Sequence, residues 1–261
     1  MSSVSRELGV ALVTGASSGI GACFARRLAS EGYDLVLVAR REDRLEALAQ
    51  ELRQAGTEVE VLVADLASTA GLSRVEARVR AEPSISMLVN NAGFTHFGSF
   101  LEEGADKAEA ALRVLVLATL RLTRAALPSM LEASRGTVIN ISSRAAFGAN
   151  PQLATYSAAK AYVNRFTLAL ADELEPRGLR FLAVCPGNVQ TELFEVAGID
   201  PAAMRGCLAP EQVVEESLAA LAAGQRLCVP AERRRDRWLR SVLPRGGVRK
   251  LASYLSRLSG T

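Results

Sequence analysis

The amino-acid sequence predicts an α/β fold, a doubly wound parallel sheet with helices on both faces. Three observations lead there. Short apolar runs alternate with longer amphipathic segments from residue 10 to residue 229. Most of the runs hold consecutive apolar residues rather than apolar residues at every second position, which is the pattern of strands buried on both faces. Each pair of runs is separated by enough chain for a crossover helix, and right-handed crossovers wind such units into an open, covered sheet.

In chain order the strand-like runs are 10–14, 34–39, 58–63, 87–90, 137–141, 179–184 and a short 227–229. The helix-like segments between them are 20–30, 41–54, 69–81, 105–131, 153–175 and 211–223. The second helix is opened by Glu42 and Asp43, acids at the end where the helix dipole favours them. Residues 187–208 are too long for a routine connection and carry Leu193, Phe194, Val196, Ile199, Met204 and Leu208. A loop of this kind in a compact domain is commonly a lid, and the expected lid spans about 187–209. Whether its apolar side chains cover a ligand or only pack the lid is open. No repeat or linker divides residues 1–229, which are expected to form a single domain.

Composition narrows the class. The chain has 261 residues, 49% of them apolar, which fits a folded domain. Charges interrupt the apolar runs, so no membrane span is expected. Residues 1–7 lack the pattern of a secretory signal. Cys23, Cys185, Cys207 and Cys228 show neither metal-ligand nor redox spacing. Cys23 and Cys185 lie in apolar elements and read as buried structural thiols. A soluble protein of a reducing compartment, the cytoplasm, is expected. The net charge of +3 is uneven, with ten Lys/Arg and two Asp/Glu from Arg226 onward. The tail, 230–261, reads as basic amphipathic helices. Its apolar stripe suits packing on the domain or a sister subunit better than an anionic membrane surface, and it holds no nucleic-acid reader motif.

The first strand runs straight into Thr14-Gly15-Ala16-Ser17-Ser18-Gly19-Ile20-Gly21 and then a helix. Glycines allow a tight turn and close backbone approach to a pyrophosphate, and a helix N-terminus offers free N–H groups. Taken alone, this spacing also suits a tight turn with no ligand. Asn90-Asn91-Ala92-Gly93 follows the fourth strand, Tyr156 and Lys160 are four apart on a helix, and Pro186-Gly187 follows the sixth strand.

These four motifs, in this order and spacing, resemble the short-chain dehydrogenase/reductase family over residues 8–229. The resemblance implies a Rossmann-type, seven-stranded parallel sheet and an oxidoreductase that moves hydride between a nicotinamide cofactor and a carbonyl or alcohol substrate. It implies cofactor contacts from Gly15, Ser17, Ser18, Gly19, Ile20, Gly21, Asp65, Leu66, Asn91, Ala92, Gly93, Tyr156, Lys160, Pro186, Gly187, Val189 and Thr191. Asp65 is equally suited to cap the next helix. Arg40 and Arg41 follow the second strand, where an acid would bind an NAD ribose and an arginine accommodates the NADP phosphate. NADP(H) is therefore expected, with NAD(H) as the second choice. Both arginines are also compatible with plain solvation.

The resemblance also implies that Ser143, Tyr156 and Lys160 are catalytic. A phenol is a poor acid at neutral pH unless a neighbouring cation lowers its pKa, and Lys160 one turn away is placed to do so. Ser143 lies thirteen residues before Tyr156; its neighbour Ser142 should point the other way along the strand. The one histidine, His96, lies in a loop that can border the site; an ordinary loop residue is expected over a substrate contact, and no serine-histidine triad competes. One position departs from the family. Leu115 stands where an asparagine helps hold a relay water, and leucine cannot hydrogen-bond. That departure keeps a second reading in view, a cofactor-binding regulatory or scaffold protein with little turnover. The expected partners are a small-molecule substrate and further copies of the chain, as a homodimer or homotetramer.

Overall fold

The computed structural model of the protein describes residues 8–192 and 206–231. Its strands are β1 (Val10–Thr14), β2 (Asp34–Ala39), β3 (Val59–Val63), β4 (Ile85–Asn90), β5 (Gly136–Ile141), β6 (Leu179–Val184) and β7 (Leu227–Cys228). They form one seven-stranded sheet in the order β3-β2-β1-β4-β5-β6-β7. Every neighbouring pair is parallel. The order reverses between β1 and β4, and this is the switch point at which open parallel sheets bind ligands.

The connecting helices are α1 (Gly19–Glu31), α2 (Glu42–Gln54), α3 (Thr69–Ala81), α4 (Ala105–Leu112), α5 (Thr119–Glu132), α6 (Ala154–Leu174) and α7 (Pro210–Ala222). Because strand side chains alternate in direction, β1 feeds two cores. Ala11 and Val13 pack with Phe24 and Leu28 of α1, Leu45 and Leu52 of α2 and Val213 of α7. Leu12 packs on the other face with Leu72 and Val75 of α3, Leu122 of α5 and Leu174 of α6. Burying each such Leu or Phe contributes roughly 1.5–3 kcal/mol, so both faces are sealed and the open edge at the strands' C-terminal ends remains for a ligand.

The single helix expected over 105–131 is three segments. Between α4 and α5, Arg113–Ala118 is π-helical, and the Thr119 hydroxyl donates to the Leu115 carbonyl at 3.0 Å. A π turn is wider than an α turn and offsets the carbonyls that follow; apolar periodicity does not register the extra residue. The whole run Ala105–Glu132 is long and apolar enough to cross a membrane by length and composition, which corrects the expectation that no stretch is. Here Val114, Leu115, Ala118, Leu122, Ala126 and Met130 are buried within the fold.

Leu193, Phe194, Val196, Ile199 and Met204 of the expected lid, and the tail from 232 onward, lie outside the described residues. Leu208 is described, and bridges to Val189.

Candidate active site

A cavity of about 280 Å³ opens along the C-terminal ends of the strands. It is lined by Gly15, Ser17, Ser18, Gly19 and Ile20 before and at the start of α1, by Arg40 and Arg41 after β2, and by Asp65 and Leu66 after β3. Asn91, Ala92 and Gly93 reach it from β4, Ser143 from β5, Tyr156 and Lys160 from α6, and Pro186, Gly187, Val189 and Thr191 from the chain after β6. Chain segments more than a hundred residues apart thus meet at one site, as the sequence motifs required.

Among the expected cofactor residues, Gly21 is not part of the lining. A Cβ there would fall 2.3 Å from the Gly15 carbonyl oxygen, so this glycine serves the packing of α1 against its own loop. Gly15 is constrained twice, by φ +66° and by Asn91 Nδ2 2.8 Å from where its Cβ would lie. The Asn91 amide donates to the carbonyls of Thr14 at 2.9 Å and Gly15 at 3.2 Å. The buried Thr14 hydroxyl accepts from the N–H groups of Asn91 and Ala92. Thr14 and Asn91 therefore hold the glycine loop in shape. Behind them, Asn90 donates to Asn140 at 2.8 Å and Asn140 to Thr167 at 2.8 Å, a buried polar tie between β4, β5 and α6. An asparagine in an apolar strand was the available signal for it; its partners were not readable.

Asp65 does not cap α3. Its carboxylate accepts from Ala67 N at 2.9 Å, and the cap is Ser68, which accepts from Gly71 N at 3.0 Å. Asp65 stays at the cavity wall. Glu42 and Asp43 do open α2.

Arg41 is engaged rather than merely solvated. Its guanidinium donates to Ser17 Oγ at 3.0 Å, to Ser18 Oγ at 2.8 Å and to Glu192 Oε2 at 2.6 Å. Glu192 also pairs with Arg44. Those hydrogen bonds, first from Arg44 and then from Arg41, hold its carboxyl at about 2. Glu192 lines the cavity and was missed by the sequence reading, because its partners lie some 150 residues upstream. Arg40 is exposed at the cavity rim. Arg40, not a carboxylate, directly follows Ala39, a position at which an arginine accommodates the 2′-phosphate of a dinucleotide, and the glycine loop with the start of α1 fits a pyrophosphate.

At the other end, Tyr156 is hydrogen-bonded to Ser143. The Ser143 hydroxyl also accepts from Ala145 N at 3.1 Å, capping the 3₁₀ turn Arg144–Phe147. Ser142 also borders the cavity, but its hydroxyl is spent on α6, donating to the Lys160 carbonyl at 2.9 Å. Desolvation pushes the Tyr156 phenol up, and the Ser143 hydrogen bond pulls it partly back. The expectation that Lys160 lowers the phenol is not met in this geometry. The Lys160 ammonium sits 5.7 Å from the ring centroid and donates to the Ile141 carbonyl at 2.6 Å; burial brings its own pKa down to about 8. Leu115 is 1% exposed and clusters with Ala111, Ala159, Phe94 and Tyr156. A hydrocarbon side chain thus fills the position beside the phenol.

Cys185 is buried, as expected, and donates to Asn164 at 3.2 Å. Cys23 is only partly buried and donates to Glu211 at 3.2 Å; burial is the main reason its pKa rises to about 12.

Known proteins share this fold. The family model for short chain dehydrogenases matches residues 9–201. A short-chain dehydrogenase from Sphingobium yanoikuyae in complex with NADPH superposes with a TM-score of 0.86 at 36% identity, covering 94% of this chain and 95% of that one. A bulky-bulky ketone specific alcohol dehydrogenase from Comamonas testosteroni superposes with a TM-score of 0.82 at 30% identity, covering 93% and 94%. A very-long-chain 3-oxoacyl-CoA reductase of Anas platyrhynchos is 33% identical over 72% of this chain and 62% of its own length. A short chain dehydrogenase of Pseudocercospora fijiensis is 37% identical over 70% of this chain and 60% of its own. The chain therefore spans about three fifths of the length of these two relatives. The matched model, the shared sheet and the assembled Ser143, Tyr156 and Lys160 together place the chain in the short chain dehydrogenase family.

Proposed function

We propose that the chain is an NADP(H)-dependent oxidoreductase that interconverts a carbonyl compound and its alcohol. One observation carries this reading: the hydrogen-bonded pair Ser143 and Tyr156 opens onto the same cavity as the glycine loop and the arginines of β2. The dinucleotide, when bound, supplies or accepts the hydride. The residues of the chain do the rest. Ser143 orients the substrate oxygen. Tyr156 gives that oxygen a proton in reduction and takes one in oxidation. A tyrosine phenol is protonated at neutral pH, the form a proton donor needs. Lys160, held by the Ile141 carbonyl beside the Tyr156 ring, would hold the nicotinamide ribose.

The substrate is a bulky, largely apolar carbonyl compound. Phe94 and Val114 line the cavity. Phe97 and Phe100, in the loop after β4, and Phe147, just beyond Ser143, stay exposed. The names of two relatives, a bulky ketone dehydrogenase and a very-long-chain 3-oxoacyl-CoA reductase, agree with that direction. The test is a panel of small and bulky ketones assayed by NADPH consumption. Turnover of bulky members supports the proposal. No turnover with either cofactor, together with tight NADPH binding, would favour the second reading of a binding protein, for which buried Leu115 against Tyr156 speaks.

A further inference from the structure

Arg41 is the residue best placed to bind a 2′-phosphate, yet one of its two outer nitrogens is already held by a carboxylate. Nη1 donates to Glu192 Oε2 at 2.6 Å, while Nη2 is turned to the hydroxyls of Ser17 and Ser18. The second oxygen of Glu192 pairs with Arg44. Glu192 directly follows Thr191, whose methyl carbon lies 2.8 Å from where a Cβ on Gly19 would be. The chain after β6 is thereby laid against the glycine loop, and its carboxylate is fixed on the arginine cluster. The side chain keeps a third of its surface exposed, so it can move off without unpacking the core.

We propose that Glu192 is a determinant of cofactor choice, an internal anion that competes with the 2′-phosphate of NADP(H) for Arg41 and Arg44. Carboxylate and phosphate present the same kind of acceptor oxygens to a guanidinium, and two anions on one guanidinium repel. A 2′-phosphate must displace Glu192 or share Arg41 with it, at a cost that a cofactor with a free 2′-hydroxyl does not meet. The protein's preference for NADP(H) is thus reduced below what its arginines alone would give. The ionised state needed for this holds at every physiological pH, since both arginines keep the Glu192 carboxyl at about 2. Sequence alone suggests the opposite, an unopposed pair of arginines. The inference rests on the NADP(H) reading above only for its biological consequence.

The test is calorimetric titration of the full chain with 2′,5′-ADP and with 5′-AMP, which differ only in the 2′-phosphate. Glu192→Gln should tighten 2′,5′-ADP about fivefold or more, as expected for removing one like charge at a partly solvated site. It should leave 5′-AMP within about twofold. In an Arg41→Gln background the same change should bring little gain, because the contested group is gone. An unchanged or smaller ratio of the two affinities, or an equal change in both, overturns the proposal. If the wild-type chain shows no preference for 2′,5′-ADP, the NADP(H) reading fails by itself, while the variant-to-wild-type ratio still decides the role of Glu192.

Discussion

Lys160 Nζ donates to the carbonyl of Ile141 at 2.6 Å, and the carbonyl of Lys160 accepts from Ser142 Oγ at 2.9 Å. The start of α6 is therefore clamped twice to the end of β5. This clamp puts Tyr156, one turn earlier, against Ser143. It also divides the two neighbouring serines into different duties, the Ser142 hydroxyl holding the frame and the Ser143 hydroxyl meeting Tyr156.

That division is testable. Ser142→Ala should lower stability by about 1 kcal/mol, the usual worth of one intramolecular hydrogen bond, and leave kcat nearly unchanged. Ser143→Ala should lower kcat strongly with little change in Tm. Thermal unfolding and steady-state kinetics on both variants check it. The reverse pattern would reassign the serines.

Tyr156→Phe keeps the ring packed on Leu115 and Lys160 and removes only the hydroxyl. Turnover should fall by about 10²–10⁴-fold, the contribution of a positioned acid-base group. NADPH affinity, read by fluorescence titration, should be unchanged. Near-normal kcat in this variant would refute the proposed role.

Lys160 gives a pH signature. Burial lowers its pKa in the folded chain to about 8, against 10.5 for an unperturbed lysine. Between these values the unfolded chain holds a proton that the folded chain has released, so stability rises with pH across that window. Below pH 8 both states are protonated and the burial cost is fully present. The rise is cut off near the top, because the phenol of Tyr156 titrates higher when folded than when unfolded. Denaturant unfolding of the wild type should show increasing stability from about pH 8 to 10. Lys160→Met should lose that slope relative to wild type.

Arg41→Ala removes the guanidinium that reaches Ser17, Ser18 and Glu192. NADPH binding should weaken about 10–100-fold, the range of a lost charge-assisted contact, and NADH binding should change little. Parallel titrations decide it. Equal weakening of both would mean that Arg41 only braces the loop.

Leu115→Asn puts an amide into a site filled by hydrocarbon. Tm should fall, because a polar group is buried among Ala111, Ala159 and Phe94. If proton resupply limits the wild type, kcat should rise and the solvent isotope effect should shrink. No isotope effect in the wild type and no gain in the variant would show that proton resupply does not limit turnover. Leu115 lies within the π-helical turn Arg113–Ala118.

The sequence by itself determined the sheet, because continuous apolar runs have only one stable home, a layer covered on both faces. All seven strands fall within two residues of the predicted bounds, and so do the helices except over 105–131, where one expected helix is three segments. It also determined which segments meet at the ligand edge, since parallel strands all end on the same side. It left open how side chains from distant segments pair. That Arg41 is held by Glu192, that Lys160 turns to Ile141 instead of lowering the phenol, and that Asn91 braces the glycine loop depend on distances across the sheet. Charge and hydrogen bonding act over a few ångströms in space, and the order of residues along the chain does not encode those distances. The tertiary structure alone decided them.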